Sequence, residues 1–321
     1  MKYINEQNIL EIGNNWNEII QVIEDTVLLL EKKDYAQPIK PYLRYKDLKN
    51  RIIAMPAYVG GDYNISGIKW IASFPDNIKN NLPRANSVII LNNADTGVPI
   101  SVINTPMVSA IRTSAVTGAI IKSYREAVEI NEKINFGIIG LGPIGRMHLE
   151  MIFTLHEDII DKIYVYDINS IDTELLPEKW KHKIVLANDW EQAYLNSKIF
   201  ITCTASSKRY INLPPPKGSL QLNVSLRDYE ADVYDFIDCV IVDNWDEVCR
   251  ENTDIEMMHQ TKGLLEKDVL IITDVLSGKL RKTIKANDTI MFCPMGMAIF
   301  DIGIAKYFYE LSQDKRIGQT L

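Results

Sequence analysis

The run Asn135-Phe-Gly-Ile-Ile-Gly-Leu-Gly-Pro-Ile-Gly145 opens with an apolar segment, Phe136 to Ile139, and closes with glycines at 140, 142 and 145. The apolar segment reads as a buried parallel strand. Arg146 to Leu155 follows with helical periodicity through Met147, Leu149, Met151, Ile152 and Leu155. In a strand-to-helix turn with the spacing G-x-G-x-x-G each glycine has a task. Gly140 permits the bend out of the strand, Gly142 admits a pyrophosphate close to bare backbone, and Gly145 lets the helix pack on the strand. Pro143 and Ile144 then occupy the first turn, whose N–H groups and positive dipole end attract phosphates.

The context strengthens this reading. Lys162-Ile-Tyr-Val-Tyr166 is a second apolar run, and it ends in Asp167, roughly 20 residues past the last glycine, where a ribose-binding acid belongs. A carboxylate there accepts from both ribose hydroxyls and repels a 2′-phosphate. Only Ile168, Asn169 and Ser170 follow, with no arginine, so NAD(H) is expected in preference to NADP(H). An ordinary glycine turn at a strand–helix junction is the alternative.

With 321 residues, two domains are expected. The 46% hydrophobic content supports full cores, and the net charge of −7 argues against bulk nucleic-acid binding. Mean hydropathy is −0.08. No run reaches the about 18 apolar residues of a membrane span, and the N-terminus has no apolar signal core. Cys203, Cys239, Cys249 and Cys293 stand isolated, which suits a reducing cytoplasm. His148, His156, His182 and His259 show no ligand spacing and are expected to be surface or packing histidines; no metal is expected.

Ahead of the glycine run lies a β-rich unit. Ile19 to Lys33 is an amphipathic helix. Gln37 to Arg44 is extended. Arg51–Pro56, Ile65–Ile71, Ser87–Leu91 and Pro99–Ile103 read as strands. Thr105-Pro106 starts a helix to about Tyr124 that is crowded with small residues. The polar bridge Arg125–Lys133 marks a boundary. The expected fold class is α/β: a Rossmann dinucleotide-binding domain over 126–303, plus an α+β substrate and oligomerisation domain from 1–125 with 304–321. Within the Rossmann part, strands are expected at 135–140, 162–167, 183–187, 199–204, 219–224 and 239–243. A helix over 253–265 is also expected, and Thr289 to Ile299 reads as a strand, a turn and a helix start.

Chemistry in such folds collects at the carboxyl ends of strands. Thr204 closes one strand, Ser225 and Asp228 follow another, and Met297 follows the last. Asp228 is the candidate proton acceptor; a turn aspartate or helix cap is the alternative. Isolated cations sit in apolar or proline-framed segments of the first domain: Arg44, Lys69, Arg84 and Arg112. Buried cations require anions. Ion pairs internal to the fold would satisfy any one of them, but together they suggest a carboxylate pocket facing the cofactor. That pocket loses its basis if Lys69 and Arg112 prove locked to internal acids.

Gly67-Ile-Lys69-Trp, Ile111-Arg112-Thr113-Ser-Ala115, the glycine loop, Asp228 and Met295-Gly-Met-Ala together resemble the ornithine cyclodeaminase/μ-crystallin family along essentially the whole chain. The resemblance implies carboxylate binding by Arg44, Lys69 and Arg112; Arg84, from the set of isolated cations, and Met55 are expected at the substrate beside them. It implies cofactor contacts by Thr113, Thr204, Ser225 and Met297, and catalysis by Asp228 with Lys69. The part of the family most similar to this chain tends to read Asn-Pro-Met-Gly-Met-Ala-Ile-Glu-Asp near the end, whereas here Cys293 and Phe300 replace the Asn and Glu. The implied activity is NAD-dependent oxidation and hydrolysis of a secondary-amine amino acid by a homodimer. A redox-neutral cyclodeaminase-type lyase, a ketimine or alanine dehydrogenase and a non-catalytic NAD-binding protein are the alternatives.

Overall fold

The computed structural model describes residues 1–285 and 287–321. They form two compact units, Met1–Val116 with Gly296–Leu321, and Thr117–Met295. The divisions fall earlier in the chain than the expected 125/126 and 303/304. The second falls early because the C-terminal helix Ala298–Asp314 already carries in its first turn an acid that pairs with first-unit cations.

In the first unit the strands are β1 (Lys2–Asn5), β2 (Tyr35–Ala36), β3 (Tyr42–Leu43), β4 (Arg51–Val59), β5 (Ile65–Ser73), β6 (Ala85–Asn93) and β7 (Pro99–Asn104). The sheet runs Gln319–Thr320, β1, β7, β6, β5, β4, β2, with β3 also paired to β4. Only β1 and β7 run parallel. Alternation fixes which face is inside: Met55, Ala57 and Val59 on β4, and Ile89 and Leu91 on β6, are buried. The C-terminal helix packs on β4, β5 and β6 and against helix α2 (Trp16–Lys32), which follows α1 (Glu6–Ile12). Asn15 caps α2 through Glu18 N, and Ile19, Ile23 and Val27 turn its apolar face inward. Helix α3 (Met107–Ala127) begins where Thr105 Oγ1 accepts from Met107 N at 3.1 Å, as the Thr-Pro pair predicts.

The second unit is a parallel sheet of β8 (Ile134–Ile139), β9 (Ile160–Tyr166), β10 (Ile184–Leu186), β11 (Ile199–Thr202), β12 (Leu220–Asn223), β13 (Cys239–Val242), β14 (Val269–Ile271) and β15 (Ile290–Cys293). Its order is β10-β9-β8-β11-β12-β15-β13-β14. The six expected strands are present. Val269–Ile271 was not anticipated, because three residues carry too little periodicity to register. The chain reverses direction across the sheet between β8 and β11, and this is where open α/β sheets bind ligands. Helices α4 (Pro143–His156), α5 (Trp190–Leu195), α6 (Trp245–Val248), α7 (Asp254–Lys262), α8 (Ile272–Leu276) and α9 (Leu280–Thr283) connect the strands. Tyr194, Phe200, Tyr229 and Met258 anchor one side of the core.

Two histidines are packing groups. His148 is fully buried on α4 and His156 is 5% exposed at its end. His156 has no hydrogen-bond partner on either ring nitrogen among the described residues. Burial pushes both down to about 4. The unfolded chain takes up these protons near 6.5, so it binds more protons than the folded chain between about 4 and 6.5. Stability is therefore full above about 6.5 and falls as pH drops toward 4, by on the order of 3 kcal/mol per ring. His156→Phe is expected to flatten this slope. Thermal unfolding at pH 7.5 and 4.5 checks it: equal acid losses of midpoint in both proteins would contradict the assignment.

Candidate active site

In the second unit the glycine loop has the backbone that the spacing demands. Gly140 sits at φ +86°, and a Cβ there would lie 2.5 Å from the Cys203 carbonyl oxygen. A Cβ on Gly145 would lie 2.0 Å from the Gly140 carbonyl oxygen, so no side chain fits at either position. A Cβ on Gly142 would meet open space. Gly142 caps α4 without any side-chain hydrogen bond, and Pro143 takes the first turn, where a missing N–H costs nothing. Ile144 is 38% exposed in that same turn. Bare backbone at an uncapped helix start is a fit for a pyrophosphate.

Asp167 ends the neighbouring strand. Its Oδ2 accepts from Leu141 N at 2.7 Å and its Oδ1 from Asn169 N at 2.9 Å. The carboxylate is thereby tied to the glycine loop. A cavity of about 250 Å³ opens beside it, lined by Leu141, Gly142, Arg146, Asp167, Asn169 and Leu176 among others. Arg146 brings a cation to this cavity from α4, which a search restricted to residues after Asp167 overlooks. The residues fit a dinucleotide: the loop would hold the phosphates and Asp167 the adenosine ribose.

Asp228 lies at the carboxyl end of β12 and is fully buried. Thr204 Oγ1 donates a short hydrogen bond to its Oδ1. Its Oδ2 has no partner of good hydrogen-bond geometry among the described residues, and the buried Tyr210 hydroxyl, likewise without one, lies next to the same carboxylate. A buried carboxylate oxygen without a donor is costly unless a ligand or water completes it. The Thr204 N–H donates to Ser225 Oγ at 2.8 Å, so Thr204 and Ser225 buttress each other. The buried thiol of Cys203 is pushed well up by burial and then by Asp228, which keeps it protonated and inert.

Sequence reasoning missed the residue that holds this loop. Asp254, the first residue of α7, is fully buried. Its Oδ2 accepts from Asp228 N and Tyr229 N, each at 3.1 Å, and from Asn223 Nδ2 at 2.9 Å. Its Oδ1 accepts from Arg209 Nε at 2.7 Å. Burial pushes the Asp254 carboxyl up, partly offset by these donors. Leu226, inside the clamped segment, has φ +64°. That conformation is unfavourable for a leucine and holds only where its surroundings enforce it. The one signal was an acid directly after the N-cap Thr253. Cys293 is a second neighbour: its Sγ accepts from Asn223 Nδ2 at 3.6 Å. Asp254→Asn is expected to lower kcat up to about 100-fold, because a shift of about 1 Å in the segment carrying Asp228 spoils its alignment, with dinucleotide affinity unchanged. Parallel kinetics and binding titrations check this; equal losses in both would mean general damage.

In the first unit, Lys69 and Arg112 come together on a residue that was not anticipated. Lys69 Nζ is 2.8 Å from Asp301 Oδ2, and Arg112 Nε is 2.8 Å from Asp301 Oδ1. Lys69 also donates to Ser109 Oγ at 3.2 Å. Lys40, 3% exposed, donates to the Gly296 carbonyl at 2.8 Å. Gly296 has φ +82°, and a Cβ there would lie 2.6 Å from Arg112 Nη1, so the guanidinium lies flat against bare backbone. Thus both cations are locked to an internal acid, the arrangement that takes away the sequence-based ground for a free carboxylate pocket at Lys69 and Arg112. One carboxylate serves two cations, so a fully protonated Lys69 leaves a positive excess in a buried place, and burial opposes that excess. Burial pushes Lys69 down to about 7, with Asp301 opposing and Arg112 and Lys40 adding to the fall. Burial acts to raise Asp301, but Arg112 and Lys69 outweigh it and hold the carboxyl below its usual range.

The remaining candidates are placed as follows. Met55 pairs with Lys69 across β4 and β5. Thr113 Oγ1 donates to the Ser109 carbonyl at 2.8 Å within α3. Met297 is buried at the start of the C-terminal helix, and Phe300, in place of Glu, is fully buried. Arg44 does not join Lys69 and Arg112. It is exposed, stacks 5.4 Å over the Tyr42 ring and donates to the Leu48 carbonyl at 3.0 Å. Arg84 is half-buried, and its Nε has no hydrogen-bond partner among the described residues. The four cysteines are free. Among the described residues no His/Cys/Asp/Glu group fits a metal, and no helix is long and apolar enough to cross a membrane.

A Rossmann unit with a glycine loop, a strand-end acid at Asp167 and a switch point between β8 and β11 is the architecture of a dinucleotide-binding protein. The ornithine cyclodeaminase/mu-crystallin family model matches residues 2–214, and the chain belongs to that family. It is 32% identical to N-((2S)-2-amino-2-carboxyethyl)-L-glutamate dehydrogenase of Staphylococcus aureus, covering 100% of this chain and 98% of the relative. Its fold is similar to Thermococcus litoralis Delta(1)-pyrroline-2-carboxylate reductase, solved with NADH and L-proline, at TM-score 0.88, 22% identity and 100% coverage of both chains. An archaeal alanine dehydrogenase dimer with bound NAD matches at TM-score 0.85 and 20% identity, covering 100% of this chain and 98% of that one.

Proposed function

We propose that this enzyme oxidatively hydrolyses N-(2-amino-2-carboxyethyl)-L-glutamate to L-2,3-diaminopropionate and 2-oxoglutarate. The observation that carries the reading is the fully buried Asp228, whose Oδ2 has no partner of good hydrogen-bond geometry among the described residues, in the unit that also holds the glycine loop. Lys69 and Arg112, already tied to Asp301, enter the reading only as groups that share that acid with a substrate carboxylate. Whole-length similarity to the Staphylococcus aureus dehydrogenase supplies the particular amine.

NAD, held by Gly140, Gly142, Gly145 and Asp167, supplies an acceptor for the hydride on the glutamate Cα when bound. The chain's residues do the rest. Lys69 and Arg112 hold a carboxylate of the substrate and fix the amine's orientation. Loss of hydride and of the N–H proton leaves a C=N bond beside a carboxylate, which water attacks. The open Oδ2 of Asp228 takes the proton and orients that water, while Thr204 holds Oδ1 in place. The balance is amine, NAD and water in; 2-oxoglutarate, diaminopropionate, NADH and a proton out.

A homodimer accords with the archaeal alanine dehydrogenase, a dimer with bound NAD. Free thiols fit a cytoplasmic enzyme, and diaminopropionate fits supply to siderophore or secondary-metabolite assembly. Absorbance of NADH tests the reading. Net formation with the amine and NAD is expected; turnover without net NADH would mean the redox-neutral lyase.

A further inference from the structure

The sheet face that carries Lys69 continues outward past the Asp301 cluster. Register aligns Met55, Lys69 and Ile89 across β4, β5 and β6, then Ile53, Ile71 and Ser87, then Arg51, Ser73 and Ala85. Residues two apart share a face, so Arg51 lies on the same face as Lys69, roughly 13 Å further along the strands. Arg84 directly precedes Ala85, and its carbonyl accepts from Phe74 N at 2.8 Å. The half-buried Arg51 stacks 5.8 Å over the Tyr42 ring.

This end of the face is short of anions. Among the described residues neither Arg51 nor Arg84 is paired with a carboxylate, and the buried Nε of Arg84 and Oγ of Ser87 have no hydrogen-bond partner. The nearby acids are engaged elsewhere: Asp47 and Asp76 both bind Lys49 Nζ. Burial, and then the charge of Arg51, act to lower the Arg84 guanidinium, as a like charge without a counter-ion does. Between the two cationic sites lies an apolar floor of Ile53 and Ile71. A cation, a short apolar stretch and a second cation form a template for a molecule with a carboxylate at each end.

We propose that Arg51 and Arg84 form a second anion subsite that binds the distal carboxylate of the substrate and selects amino acids with an acidic side arm. This deepens the proposed function and rests on its placing of one carboxylate at Lys69 and Arg112. Arginine suits the task because its planar fork grips a carboxylate through two hydrogen bonds. The long side chains, together with the floor between them, set the length of acid accepted.

The test is binding of 2-oxoglutarate and of pyruvate, read by ligand-induced thermal shift and calorimetry, on wild type, Arg51→Gln, Arg84→Gln, the double variant and Arg51→Lys. Wild type is expected to prefer 2-oxoglutarate at least tenfold. The double variant should lose that preference while keeping its pyruvate affinity, and Arg51→Lys should recover part of it. Equal affinity of wild type for the two acids would overturn the subsite, as would a double variant that loses both ligands equally or neither. The readout is independent of turnover. If the amine is not oxidised but the arginine-dependent preference stands, the proposed reaction fails and the subsite survives.

Discussion

Asp228→Asn is expected to abolish turnover, with kcat reduced about 10³-fold or more, while leaving dinucleotide affinity within twofold of wild type. General acid–base assistance contributes about 10² to 10⁴ in rate. Here the lost base is also the group that orients water. Asparagine preserves shape, and its backbone N–H still reaches Asp254 at 3.1 Å. Thr204 Oγ1 can still donate to the amide oxygen. The change therefore removes the open, proton-accepting Oδ2 and little else. Steady-state kinetics paired with a fluorescence titration of NADH checks the prediction. A variant that turns over at more than a tenth of the wild-type rate would remove Asp228 from the chemistry and return it to the role of a turn aspartate.

The second large effect is on stability. Asp301→Asn leaves Lys69 and Arg112 buried with no anion between them. Breaking a buried pair from one side costs about 3–5 kcal/mol because a charge is stranded. Part of that cost is escaped if Lys69 gives up its proton, which its value of about 7 makes easy. The variant is therefore expected to unfold at a lower temperature, with a greater loss at pH 6 than at pH 8. The sign follows from linkage: below the folded value Lys69 is charged and needs the missing acid, and above it the lysine is neutral. A carboxylate ligand should stabilise the variant more than wild type by filling the vacated place. Differential scanning calorimetry with and without 2-oxoglutarate checks all three. An unchanged midpoint at pH 6 would mean that Asp301 does not carry the pair.

The parts of the molecule legible in the sequence are those governed by local rules. The spacing of Gly140, Gly142 and Gly145 announces a bend in which a Cβ would strike Cys203 or Gly140. Asp167 is placed by its distance along the chain from that bend. Thr105-Pro106 announces the start of α3 because capping is local too. Lys69 and Arg112 draw notice as charges in uncharged surroundings. Their shared partner does not, since Asp301 lies 189 residues beyond Arg112 and looks like any helix aspartate. Asp254 is hidden for the same reason: its three contacts on the Asp228 segment come from 25, 26 and 31 residues away. Arg51 reads as a strand-end charge until register shows it on the face of Lys69. Arg44, by contrast, is conspicuous in sequence between prolines and a strand, yet it stacks on Tyr42 at the exposed edge. Side-chain partnerships across long loops are set by packing, and periodicity carries no record of them.

Mass spectrometry of the products formed from N-(2-amino-2-carboxyethyl)-L-glutamate and NAD tests the central claim most directly. The account predicts L-2,3-diaminopropionate and 2-oxoglutarate in equal amounts, each matching the NADH formed. Intact amine after prolonged incubation, or a cyclised product with ammonia and no net NADH, would contradict it.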